Sequence, residues 1–188
     1  MMILPRMFDT LAALQPADFL VTAASVATVA GVMDLRNRRI PNRFTGPVFL
    51  AALLLHLTAD GLRGMTLAFF AGVAAAAVFL LFFLAGGMGG GDVKLIAAVC
   101  ALAGPANTIQ VLLATALCGG VLALALAIVH GRLGSTLHNI AVLIGHHGAV
   151  GLMPHPDLNL HAPKALRLPY ALAIAAGCWA VVLLTRMG

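Results

Sequence analysis

Glutamate is missing from these 188 residues, and the negative charge comes from six aspartates: Asp9, Asp18, Asp34, Asp60, Asp92 and Asp157. Charged residues of both signs make up only 9% of the chain, against about a quarter in a soluble domain. With 62% hydrophobic residues and a mean hydropathy of +1.04, the chain has too much apolar surface for a water-soluble fold of this size. A bilayer is its natural solvent. There is one Trp and one Tyr, and no basic run is interleaved with aromatics. That pattern speaks against nucleic-acid binding, which needs a basic surface along the phosphate backbone. Cys100, Cys118 and Cys178 lie far apart in apolar segments, and no CxxC occurs. This excludes zinc sites of the CxxC type. The first residues lack signal-peptide order, because Asp9 and Pro16 interrupt any apolar run after Arg6. Residues 1–17 are expected to form a short, interfacial arm.

What is present is a series of apolar runs. A spanning helix needs about 20 mostly apolar residues. Six candidates meet or approach this: Asp18–Met33, Phe44–Ala59, Met65–Ala85, Val93–Ala103, Thr108–Val129 and Pro169–Thr185. The expected fold class is all-α, a polytopic membrane protein of about six helices in one domain over residues 1–188. Gly104-Pro105 should stop the short fourth helix sharply. Alanines 74–77 suggest close helix packing. Residues 131–168 form the one long polar-leaning connection, expected as a cytoplasmic interfacial loop. Within it Leu133, Leu137, Ile140 and Ile144 recur at helical spacing, as in an amphipathic helix lying on a membrane surface. Pro154, Pro156 and Pro163 should end that helix.

The net charge of +5 is best read as topology. If the loop after Asp34 is cytoplasmic, so are Arg36, Arg38, Arg39, Arg43, Lys94, Arg132, Lys164 and Arg167, leaving Arg6, Arg63 and Arg186 outside. That is the positive-inside bias. The same helix count brings Asp34 and Asp92 out at one face.

Two segments carry candidate chemistry. The first is Asp34 followed by Ile40-Pro41-Asn42. Proline forces Ile40 to be extended, so the chain must turn, and Asn42 can hydrogen-bond within that turn. The second is Gly86-Gly87-Met88-Gly89-Gly90-Gly91-Asp92-Val93-Lys94. Its glycines permit close approach of another backbone, or movement of the loop. Each segment also has a plainer reading. Asp34 can pair with a neighbouring arginine, Asp92 can serve as a helix N-cap, and Lys94 can be a positive-inside anchor. A Walker phosphate loop is excluded in form, since Gly-Lys-Ser/Thr after a strand is absent. Six histidines lie between His130 and His161, but their spacings match no compact metal-ligand motif.

Together, Asp34 with Ile40-Pro41-Asn42 and Gly89-Gly90-Gly91-Asp92-Val93-Lys94, in a six-helix membrane chain, resemble the type IV prepilin peptidases. Leu168-Pro169-Tyr170-Ala171 and Gly177 are similar to that family's final-helix entry. The small size is similar to the peptidases of Flp/Tad pilus systems. The resemblance implies a membrane aspartyl protease with Asp34 and Asp92 as catalytic pair, and Pro41, Asn42, Gly89, Gly91 and Lys94 as substrate-binding or loop-supporting residues. No cofactor and no metal are implied. The implied substrate is a prepilin or pseudopilin with a short basic leader, a glycine before the cut and a hydrophobic helix after it. The implied location is the bacterial inner membrane. Larger relatives carry paired CxxC motifs and also N-methylate the new terminus. Lacking CxxC, this chain is expected to cleave without methylating.

Elementary chemistry agrees with the pairing. One carboxylate takes a proton from water while a carboxylic acid donates toward the peptide oxygen. Two close carboxyls share a proton because both cannot ionise cheaply. The helix dipole should favour the Asp92 anion and leave the proton on Asp34. Two other functions fit membrane aspartates: a small transporter or ion channel using Asp34 and Asp92, and a non-catalytic scaffold. The sequence sets neither the oligomeric state nor the identity of the pilin.

Overall fold

The computed structural model describes residues 16–153, 155, 156, 158 and 168–187. The expected arm (except residues 16 and 17), Pro154, Asp157, His161, Pro163, Lys164 and Arg167 lie outside these residues. The described residues form six helices and no strand: α1 (Pro16–Asn37), α2 (Asn42–Leu84), α3 (Gly90–Ala103), α4 (Pro105–Val129), α5 (Leu133–Val150) and α6 (Tyr170–Met187). Four of them, α1, α2, α4 and α6, are long and apolar enough to cross a membrane. The protein is an all-α polytopic membrane protein.

The two expected spans Phe44–Ala59 and Met65–Ala85 form one element, α2, broken at Gly61 (φ 66°, ψ −156°). That backbone region is essentially reserved for glycine. The halves fold back on each other: Phe49 meets Phe69 edge-on at 6.1 Å and approaches Gly72. Each half has roughly the 20 residues a span requires.

Helix α3 is the hub. Leu95, Ile96 and every residue from Ala98 to Ala103 are buried. An all-round apolar helix is stable only inside other helices, and α2, α1 and α4 supply that cover. Its 14 residues span about 21 Å, short of the ~30 Å hydrocarbon core. Close approach rests on small residues. A Cβ on Gly72 would stand 2.7 Å from the Ala97 carbonyl oxygen, and one on Gly177 2.6 Å from the Thr115 nitrogen. Of the alanine run, Ala75 is buried whereas Ala74 and Ala77 are exposed. Outward-facing Leu54, Phe70, Leu117 and Val121 form the apolar exterior that lipid would cover.

Helices α1 to α4 start earlier than the apolar runs, because polar and glycine residues complete first turns, whereas α6 starts at Tyr170, one residue after the expected Pro169. α3 begins at Gly90 and α4 at Pro105. Gly104 (φ 79°) makes the expected sharp stop. Helix α5 follows the expected amphipathic stretch and has no buried residue. Leu133, Leu137, Ile140 and Ile144 are all exposed.

Candidate active site

Helix α1 continues past the apolar run, so Asp34 sits in its last turn. The Asp34 carbonyl accepts from the Arg38 amide at 2.7 Å. Arg38 has φ 49°, an uncommon left-handed conformation that closes a helix in place of glycine. Ile40 is not helical, Pro41 is extended (φ −71°, ψ 141°), and α2 starts at Asn42. On the other side, Gly86 (φ 78°) turns the chain out of α2. Gly89 then caps α3, whose third residue is Asp92.

These two reversals enclose one cavity of about 570 Å³. It is lined by Asp34, Asn37, Arg38, Arg39, Ile40, Pro41, Asn42, Gly89, Gly91 and Asp92. Asp34 and Asp92, 58 positions apart in sequence, thus share a site, and Pro41, Asn42, Gly89 and Gly91 stand with them. Lys94 is outside the lining and donates from Nζ to Asn42 Oδ1 at 2.9 Å. Asn42 therefore ties two helices together, where a bond within its own turn was expected. A Cβ on Gly91 would meet the Ile40 side chain at 3.5 Å. Glycine here brings the α3 start against the α1–α2 turn.

The carboxyls are half-buried. Asp92 Oδ2 accepts from the Gly89 amide at 3.3 Å, one half of a capping box, since glycine has no side chain to reciprocate. Burial pushes the Asp92 carboxyl up to about 6, and the charge of Asp34 adds to the rise. The Gly89 hydrogen bond opposes it and loses. The expected preference for an Asp92 anion is corrected accordingly. A helix N-terminus contributes about 0.3–1 kcal/mol in exposed settings, whereas desolvation of a carboxylate can shift it by several units. Among the described residues, Asp34 has no hydrogen-bonded side-chain partner, so the reading of it as an arginine-paired anchor finds no support there.

Sequence reasoning did not nominate Asn37, Arg38, Arg39 and Ile40 as site residues. Arginine spacing reports topology and cannot say which side chains turn into a cavity. Tyr170, the first residue of α6, is close enough to feel the Asp92 charge. Its signal was its place in the Leu168-Pro169-Tyr170 segment. Among the described residues no three His, Cys or Asp side chains form a metal-holding group. His146 lies beside His147 (5.4 Å) and His155 (4.8 Å) without making one.

Such a site offers two carboxyls, one of them with its proton affinity raised by burial, beside the α1–α2 turn. No curated protein and no solved structure matches the chain. Residues 21–124, which contain both aspartates and both reversals, match the type IV leader peptidase family. That match covers more than half of the chain, and the chain belongs to the type IV leader peptidase family, a family of proteases acting on type IV prepilin-like substrates.

Proposed function

We propose that this protein is a membrane aspartic endopeptidase of the bacterial inner membrane that removes the leader from Flp/Tad-like prepilins or pseudopilins. The observation that carries this reading is the joint lining of one cavity by Asp34 and Asp92, with Asp92 pushed up to about 6. Below about pH 6 Asp92 keeps its proton. The Asp34 carboxylate takes a proton from water as its oxygen attacks the scissile carbonyl carbon. Asp92 gives its proton to the carbonyl oxygen. The resulting gem-diol collapses, the C–N bond breaks, and a proton passes to the leaving nitrogen. Substrate helix in the bilayer supplies binding, and its extended leader junction reaches the cavity.

Two carboxyls at helix ends beside Arg38 and Arg39 suit a surface-presented peptide better than a mid-membrane ion path. Within these residues no CxxC pair exists, so the reading carries cleavage without N-methylation. Pro41, Asn42, Gly89 and Gly91 shape the cavity. The test is cleavage of a prepilin-like substrate in membranes by wild type, Asp34→Asn and Asp92→Asn. Loss in both variants, with normal insertion, supports the mechanism. Retained cleavage in both removes it.

A further inference from the structure

The hydrogen bond between Lys94 and Asn42 joins the two segments on which the peptidase reading rests, and acid–base chemistry leaves it unused. It spans 52 positions at 2.9 Å. Asn42 opens α2 directly after Pro41, and Lys94 follows Asp92 by two residues in α3. Next to it, a Cβ on Gly91 would sit 3.5 Å from that of Ile40. The α1–α2 turn and the α3 start therefore touch at one polar and one apolar point, both at the rim of the aspartate cavity. Asn42 lines that cavity and Lys94 does not. A headgroup anchor needs no amide partner, and an ammonium that binds substrate would point into the cavity.

The need for such a tie follows from the glycines. Gly89, Gly90 and Gly91 have no side chains with which to hold the α3 start, and their backbone is permissive. We infer, on the basis of the peptidase reading, that Lys94 is a positioning residue: its ammonium, held by the Asn42 side chain, fixes the α3 start against the α1–α2 turn so that Asp92 faces Asp34. Being exposed, the bond adds little to global stability. Catalysis is far more sensitive, because small misplacement of reacting groups is costly.

The full chain in membranes tests this. Lys94→Met lowers kcat roughly ten- to a hundredfold while KM stays within about twofold. Asn42→Asp keeps an acceptor for the ammonium but adds a carboxylate to the cavity lining, so it is read by cross-linking and not by cleavage. Asn42→Ala, which keeps the lysine, behaves like Lys94→Met and serves if that variant fails to insert. A second readout is independent of cleavage. Ile40→Cys with Gly91→Cys, in a Cys118→Ser background, places two Cβ atoms at a disulfide-compatible distance. Oxidation cross-links this pair rapidly when Lys94 is present, several-fold more slowly with Lys94→Met, and at the parental rate with Asn42→Asp. Unchanged cross-linking with Lys94→Met, or a loss of cleavage confined to KM, overturns the inference. A wild type that cuts no prepilin-like substrate defeats the peptidase reading alone, since cross-linking still decides the tie.

Discussion

The bundle has a polar cavity at each end, and the two are built on opposite principles. At the far end, where α2 reverses at Gly61 and α3 meets α4, a cavity of about 210 Å³ contains His56, Asp60 and Asn107. There the buried polar side chains are spent on backbone. His56 Nε2 lies 3.3 Å from the Leu102 carbonyl oxygen, with its ring stacked on Phe19 at 4.4 Å. Asn107 donates to the Ala103 carbonyl at 2.9 Å. These groups satisfy the carbonyls that a helix end leaves open, and the one carboxylate, Asp60, is exposed. At the near end two half-buried carboxyls share a larger cavity, and the proton affinity of one is raised by burial and by the other's charge. Polar groups fully paired with backbone hold a fold together. Paired carboxyls that depend on each other for their charge are equipped for chemistry.

The largest way to break this contrast is substitution of the acids. Asp34→Asn and Asp92→Asn should each lower kcat/KM by about 10²–10⁴-fold or more, the scale of general acid–base catalysis. Asp60→Asn should leave it within about twofold, as expected of an exposed carboxylate outside the reacting pair. Cleavage assays on equal amounts of inserted protein decide it. An Asp60 effect as large as that of Asp34 would erase the distinction between the ends.

Stability should show the reverse preference. Gly61→Ala forces a side chain onto φ 66°, ψ −156° and should cost about 1–3 kcal/mol, seen as a lower Tm in detergent micelles. Activity per folded molecule should persist.

The pH profile sharpens the near-end account. Asp92 is raised from 3.8 to about 6, so its protonated form persists to about pH 6 and is lost above it. Cleavage should fall as pH rises through about 6, approaching tenfold per unit for one proton. In Asp34→Asn the Asp92 titration should move down yet stay above 3.8, because burial is the larger cause. Carboxyl-carbon NMR of labelled aspartate measures that. A midpoint unchanged by Asp34→Asn would remove the coupling.

The smallest effect is expected at the far-end histidine. His56→Ala loses one hydrogen bond and a ring stack, about 1–2 kcal/mol of stability. Thermal unfolding should register it while kcat/KM does not change.

Much of this molecule is written locally. Scarcity of charge and the apolar runs determine a membrane protein, and the Gly104-Pro105 stop and the Leu133–Ile144 periodicity appear where expected. Asp34 and Asp92 were legible as candidates because a carboxylate at the edge of an apolar run is costly and therefore conspicuous. Helix parity placed both at one face. These inferences need only composition, period and the handedness of each local turn. Other features needed the packed bundle. Lys94 meets Asn42, and Gly91 meets Ile40, only because α2 and α3 lie side by side. The Asp92 proton affinity was misjudged from sequence because the dipole of its helix is a local property, whereas its desolvation is imposed by what packs around it. Sequence therefore determined which residues are costly and where the chain must turn. Tertiary structure decided which of them share a cavity and that burial raises the proton affinity of Asp92, since both depend on distances between segments that no local preference encodes.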